Sequence, residues 1–161
     1  MRDHEHQELT MERPIHEIIA DFDTFQSSDF DMRNVDASGA DRLSELVGEL
    51  FEKPNPEQAM DTMFRMMERL PDSDLGTPGP LVHGLEKFKD YEPHLIESVH
   101  RLPTPLSVWM VNRILNTRLP KPRRAFWLSL LEEALGRPEI NDQLRQDIKE
   151  FLEHQGKRKS S

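Results

Sequence analysis

The stretch PTPLSVWMVNRILN, at residues 103–116, decides the fold class of this chain. Thr104 is a residue type that caps helix N-termini, and Pro105 suits the first helical position because an N–H there would be unpaired anyway. Apolar residues then occupy most positions around the helix, which leaves little of its surface for solvent. The stretch therefore predicts a helix at the buried centre of the fold.

Seven further segments of the chain have helical character. Each carries apolar residues at spacings of three and four and ends at a proline, a glycine or a polar turn. They lie at about residues 14–25, 41–52, 56–70, 81–88, 91–99, 122–135 and 142–152. About eight helices with short connections predict an all-α fold of stacked antiparallel helix pairs, either a HEAT-like α-solenoid or an irregular helical bundle.

Length and composition favour one cytoplasmic domain. The chain has 161 residues and no cysteine, and no apolar run approaches the length of a membrane span. We predict a flexible N-terminus at residues 1–12, a single helical domain at 13–155 and a flexible tail at 156–161. Two breaks interrupt the helices, an acidic loop at 27–41 and the stretch PDSDLGTPGP at 71–80.

Charge is unevenly distributed along the chain. The net charge is −9, and residues 1–75 hold 19 Asp and Glu against 7 Lys and Arg, whereas residues 76–161 hold 11 against 14. An acidic surface repels nucleic acid and membranes and attracts basic proteins. Solubility alone is the competing explanation for such a surface. We therefore expect a basic protein partner, and neither a nucleic acid nor a membrane.

The acids of the front half are the leading candidates for partner binding. Six aspartates fall within residues 21–41, and clustered carboxylates produce a negative field that can mimic a phosphate backbone. We expect these acids, together with exposed polar residues of the central helices, to form the contact surface. The predicted partner-binding residues are Asp29, Asp31, Asp72, Asp74, Glu86, Asp90, Asn112 and Asn116.

Catalytic motifs are not evident in the sequence. It contains no HExxH, no GxSxG and no glycine-rich phosphate loop, and we predict no catalytic residue, metal or cofactor. His4 and His6 could bind a metal, and His83, His94 and His100 could supply a general base if they converged with carboxylates. A hydrolase therefore stays an alternative that requires this convergence.

A basic turn lies between two predicted helices. It contains Arg118, Lys121, Arg123 and Arg124. Such a turn could bind a phosphate or an acidic partner. It could equally complement the negative C-terminal end of a helix.

Residues 78–116 resemble a known family. The features PGPLVH, RLPT and VWMVNRILN are similar to those of small α-helical immunity proteins from bacterial polymorphic-toxin and contact-dependent growth inhibition systems. The resemblance implies a HEAT-like helical stack without catalysis, which binds and neutralises the C-terminal domain of one cognate toxin. The predicted toxin class is a basic nuclease. A helical adaptor or regulator without a toxin partner is the alternative.

Overall fold

The computed structural model describes residues 13–76 and 79–159, and this part of the chain contains eight α-helices. The predicted flexible N-terminus at residues 1–12, with His4 and His6, lies outside the described residues. Two 3₁₀ helices accompany the α-helices, at Ser27–Phe30 and Pro56–Ala59. The α-helices are α1 (Ile15–Phe22), α2 (Gly39–Phe51), α3 (Met60–Arg69), α4 (Pro80–Glu86), α5 (Tyr91–Arg101), α6 (Pro105–Leu115), α7 (Lys121–Leu135) and α8 (Asp142–Lys159).

The predicted all-α class is confirmed, with differences at several helix boundaries. Helix α2 begins at Gly39, and the third predicted helix starts as the 3₁₀ turn Pro56–Ala59 before it becomes α3. Helix α8 runs to Lys159, beyond the predicted domain end at residue 155. No helix of the described residues is both long and apolar enough to cross a membrane.

The chain divides into two compact units. Unit 1 comprises Met1–Met66 and Ser73–Lys87, and unit 2 comprises Met67–Asp72 and Phe88–Ser161. Their sequences differ strongly in charge. Unit 1 has 18 Asp and Glu against 7 Lys and Arg, a balance of −11, whereas unit 2 has 12 against 14, a balance of +2. A division by contacts does not decide whether the units fold separately, so the single domain at 13–155 stays a prediction.

Helix α2 is the central element of unit 1. It packs against α1 and α4, and its apolar residues Leu43, Leu46, Val47 and Leu50 are buried. Gly84 permits the approach of α4, since a Cβ there would lie 3.0 Å from Val47 and 3.2 Å from Phe51. The fully buried residues of this core include Ile18, Phe22, Leu43, Leu50, Met63, Phe64, Leu81 and Leu85.

An ion-pair cluster fixes the start of the described chain to α2. Arg13 donates to Glu49 Oε1 at 2.8 Å and Oε2 at 3.0 Å, and to Asp21 Oδ2 at 2.6 Å. The hydrogen bonds from Arg13 lower the pKa of Glu49 below its ordinary value of 4.5. Because the folded pKa is depressed, the cluster stabilises the fold above pH 4.5 and loses this contribution as the pH falls through the folded pKa.

We expect Arg13→Ala to lower the free energy of unfolding by about 1 kcal/mol at pH 7 and by less near pH 3, because the contribution declines as the pH falls below 4.5 toward the lowered pKa of Glu49. Urea unfolding of both proteins at the two pH values measures this difference. Arg65→Ala is the control, because Arg65 and its partner Asp61 are each more than half exposed and 3.3 Å apart. A loss for Arg13→Ala that is the same at both pH values would contradict the assignment.

Helices α5 to α8 of unit 2 form a two-layer stack. Arg124 near the start of α7 donates to the Leu115 carbonyl at the end of α6 at 3.1 Å, across the short connection between these two helices. Arg145 near the start of α8 donates to the Leu135 carbonyl at the end of α7 at 2.6 Å, across the next connection. Helix α5 also contacts α7, and α6 contacts α8. Helices α5 and α7 therefore form one layer, and α6 and α8 form the other.

Helix α6 has the central position that its sequence predicts. It contacts α5, α7 and α8, and eight of its 11 residues are buried. The predicted cap is confirmed, because the Thr104 hydroxyl accepts a hydrogen bond from the Ser107 N–H at 3.2 Å, and the Ser107 hydroxyl accepts one from the Thr104 N–H at 3.0 Å. This reciprocal pair satisfies two buried N–H groups at the start of the helix.

Candidate functional site

One concave feature of unit 1 is a groove of about 480 Å³, which we call the acidic groove. It lies between the loop that follows the first 3₁₀ helix, the start of α2 and the chain segment before α4. Buried residues Phe30, Gly39 and Leu75 contribute to its lining. Its polar and exposed lining includes Asp29, Asp31, Met32, Val35, Asp41 and Asp74.

The loop of the acidic groove is built from short side-chain turns. Asp31 Oδ1 accepts a hydrogen bond from the Arg33 N–H at 3.0 Å, and Asn34 Oδ1 accepts one from the Asp36 N–H at 3.1 Å. Asp and Asn form such turns readily because their oxygen reaches the backbone two residues ahead. Met32 is the middle residue of the first turn and Val35 of the second, and they are 89% and 97% exposed. The loop thus presents two apolar side chains to solvent.

Asp31, Asp41 and Asp74 supply the formal negative charge of the acidic groove. The N–H of Arg33 and then its guanidinium lower the pKa of Asp31 by donating to the carboxylate. Asp74 Oδ1 accepts from the Gly76 N–H at 3.0 Å, in a turn where Gly76 has φ +96°. Asp41 is exposed in the first turn of α2, where the helix dipole favours a negative charge. The groove therefore combines negative charge with exposed apolar surface.

Close backbone packing holds the loop against α2. A Cβ at Gly39 would lie 2.4 Å from the Asp29 carbonyl oxygen and 2.9 Å from the Phe30 ring. Asp29 itself accepts from the Gln26 N–H at 2.8 Å and from Arg42 at 3.3 Å. Asp29 therefore contributes to the structure of the loop as well as to its charge.

We expect Gly39→Ala to lower the free energy of unfolding by about 1–3 kcal/mol, because backbone must move to admit the methyl group. Gly48→Ala is the matched control in the same helix, since a Cβ at Gly48 meets nothing within 4 Å. Removing a helical glycine there should raise stability by about 0.5–1 kcal/mol. Thermal and urea unfolding of the two variants test this contrast, and equal effects would show that the close approach is unimportant.

The groove brings together three of the eight predicted binding residues. Asp29, Asp31 and Asp74 line it. Glu86, the last residue of α4, is half-buried and does not line the groove. Asp72 and Asp90 belong to unit 2, where Asp72 accepts a hydrogen bond from Asn141 at 3.4 Å and Asp90 precedes α5. Asp29, Asp31 and Asp74 therefore share one surface, the acidic groove. The other three predicted acids lie outside it.

One of the two predicted asparagines requires a correction. We expected Asn112 and Asn116 as exposed polar residues; Asn116 is exposed, but Asn112 is only 9% exposed. Its Oδ1 accepts a hydrogen bond from Gln155 Nε2 at 2.8 Å, and Asn116 Oδ1 accepts from the same nitrogen at 2.8 Å and from Arg158 at 2.9 Å. These side chains join α6 to α8, so their interactions are directed inside the fold.

Several acids of the predicted cluster at residues 21–41 have partners within the chain. Asp21 pairs with Arg13 at 2.6 Å, Asp29 with Arg42 at 3.3 Å and Asp31 with Arg33 at 3.2 Å. Within the described part of the chain, Asp23, Asp36 and Asp41 have no ion pair. The negative field is therefore reduced by these pairs, and Asp41 and Asp74 carry much of it at the groove.

Met32, Val35 and Asp41 were not among the predicted binding residues. Both apolar residues occur in DMRNVD, at residues 31–36, a stretch without helical or strand periodicity. Without periodicity, the apolar side chains of this stretch do not form a face that can pack on the core. The acids on both sides also favour exposure of the stretch to solvent. Isolated apolar residues within an acidic loop were thus the signal that could have identified this surface.

Two of the candidate histidines and two arginines of the basic turn have polar neighbours within unit 2. His100 lies 3.5 Å from Glu133, and the side chains of His94 and Glu97 approach within 4.8 Å of each other. The hydrolase alternative therefore stays a prediction. Arg124 of the basic turn donates to the Leu115 carbonyl at the end of α6 at 3.1 Å, as expected for a base that complements a helix C-terminus, whereas Arg123 donates to Glu92 at 2.6 Å.

Comparisons with known proteins assign no function to this chain, so its function is inferred from its own geometry. No family model, no curated protein and no solved structure matches this sequence.

Proposed function

We propose that this protein is an immunity protein, which binds and neutralises a basic toxin domain through the acidic groove of unit 1. The observation that carries the proposal is the pair of exposed apolar side chains, Met32 and Val35, beside the carboxylates Asp31, Asp41 and Asp74. Protein interfaces combine apolar anchors at the centre with charged residues at the rim. The groove has both components.

The charge of unit 1 supports a basic protein as the partner. A balance of −11 disfavours nucleic acid and anionic membranes, and it raises the association rate of a positively charged protein. A nuclease has a basic surface because it must bind the phosphate backbone of its substrate. A protein that covers this surface competes with the substrate by the same electrostatic attraction.

The exposed apolar residues support a protein over a small ion as the partner. A metal ion or a polyamine would gain nothing from Met32 or Val35, which are 89% and 97% exposed. Methionine is flexible and polarisable, so it can fill irregular apolar pockets on a partner. We assign the long-range attraction to the carboxylates and the slow dissociation to these two anchors.

Binding to the toxin candidate tests the proposal directly. The C-terminal domain encoded by the gene directly upstream would be purified and mixed with this protein at low salt, with complex formation measured by calorimetry and size-exclusion chromatography. We expect a stoichiometric complex, weaker binding at high salt and loss of the domain's toxic activity. No complex at micromolar concentration in low salt would overturn the proposal.

The second candidate function is a helical adaptor without a toxin partner. The stacked helices of unit 2 favour it, because such stacks present extended surfaces for binding other proteins. Gene context separates the two candidates: an upstream gene that encodes no toxin-like domain favours the adaptor.

A further inference from the structure

A half-exposed phenylalanine on α7 is not explained by the acidic groove. Among the described residues, the large apolar side chains classed as exposed are Met32, Val35 and Phe126, the last at 47%. The Phe126 ring contacts the edge of Trp127 with ring centroids 5.5 Å apart. It also lines a groove of about 270 Å³ with Ile96 of α5. We call the exposed side of these two helices the α5–α7 face.

Helices α5 and α7 are parallel within this face. At one end, Arg123 donates to Glu92 Oε1 at 2.6 Å, and at the other end His100 lies 3.5 Å from Glu133. Each pair joins equivalent ends of the two helices. The apolar groove around Phe126 therefore lies between two polar ends.

The charges on α7 run against its own helix dipole. Its first turn contains Lys121, Arg123 and no acid, whereas Glu132 and Glu133 lie near its C-terminal end and no base is present in its last turn. Bases near a helix N-terminus and acids near the C-terminus are both unfavourable in an isolated helix. In an antiparallel pair of such helices the same charges would be favourable, because the basic end of each helix would meet the acidic end of the other.

We propose that the α5–α7 face pairs with the same face of a second copy of this chain across a two-fold axis. Arg123 and Glu133 lie five residues on either side of Leu128, so an axis near Leu128 would bring Arg123 of each copy opposite Glu133 of the other. Phe126 is two residues from that axis, or about 3 Å along the helix. The two phenylalanine rings would then meet at the centre of the interface.

The alternation of charge favours a second copy over an unrelated partner. Within this face, α7 is basic at one end, has the exposed Phe126 between its ends and is acidic at the other end, which is the pattern that a two-fold axis requires of a helix that pairs with its own copy. Arg123 can keep its bond to Glu92 in such a dimer, because a guanidinium has five N–H donors. This inference uses unit 2 alone and does not depend on the proposed toxin binding.

Sedimentation of the full chain tests whether a dimer forms. The native chain would be measured at low salt over about 5–500 µM, a range that reveals weak as well as stable self-association. We expect a reversible monomer–dimer equilibrium, and a dimerisation constant weakened at least about tenfold by Phe126→Asp. A native chain that stays monomeric throughout, or a dimer unaffected by Phe126→Asp, would overturn the proposal.

Charge exchange identifies the interface independently of the phenylalanine. Arg123→Glu and Glu133→Arg should each weaken the homodimer about tenfold, because each places like charges opposite each other twice. A mixture of these two variants should form a heterodimer, since both contacts then join opposite charges. Native mass spectrometry distinguishes the heterodimer, and Glu150→Arg on the exposed surface of α8 is the control. Failure of the mixture to associate would contradict the proposed pairing.

Discussion

The triple variant Asp31→Asn, Asp41→Asn, Asp74→Asn is expected to bind the basic toxin domain about 100-fold more weakly than the native chain at low salt. Asparagine keeps an oxygen that can accept the hydrogen bonds of the Arg33 and Gly76 N–H groups, so the turns of the groove should persist. Only the charge changes. Surface plasmon resonance should show most of the loss in the association rate.

A second triple variant separates this local effect from net charge. Asp142→Asn, Glu150→Gln, Glu153→Gln removes the same three charges from exposed positions on α8. We expect its affinity to change by less than about threefold, because scattered surface charges act weakly through screening salt. Equal losses in the two triple variants would show that the acidic groove is not the contact surface.

Trp127→Ala is expected to cause the largest loss of stability, about 3–5 kcal/mol in the free energy of unfolding. Trp127 is 2% exposed and is the largest fully buried side chain of the described residues, so alanine would leave a large cavity in unit 2. Urea unfolding measures the change, and the loss of near-ultraviolet circular dichroism follows the same transition.

The adjacent residue supplies a matched control. Phe126 is next in the chain and is 47% exposed, so Phe126→Ala should cost only about 1 kcal/mol. Both measurements belong at concentrations where the protein is monomeric. Similar losses for the two aromatic residues would contradict the burial of Trp127.

The fold could be predicted well where local chemistry and burial agree. Thr104 and Pro105 mark a helix start through local chemistry, a capping hydroxyl and a fixed φ, and the largely apolar surface of α6 favours its burial. The end of α8 was predicted less well, because Gly156 and the following bases suggested a tail. Arg158 instead donates to the Leu115 carbonyl at 2.9 Å, a tertiary contact that local propensity does not reveal.

The candidate site could be predicted only in part, for the same reason. The acids of the loop are evident from composition, and Asp29, Asp31 and Asp74 do share the groove. The burial of Asn112 could not be predicted from its neighbours in sequence, because Gln155, which donates a hydrogen bond to its side chain, is 43 positions away. Whether a polar side chain faces solvent or another helix depends on packing between distant segments, which spacing along one helix does not determine.

The hydrogen bonds of Gln155 fix the register of α8 along α6. Sliding α8 by one turn would move Gln155 by about 5.4 Å, away from both asparagines, and would leave a fully buried amide without partners. A position of α8 shifted by one turn would therefore be much less stable than the observed position. Helix α8 should dock in an all-or-none step, and its backbone amides should exchange with solvent deuterium together rather than progressively from the end of the helix.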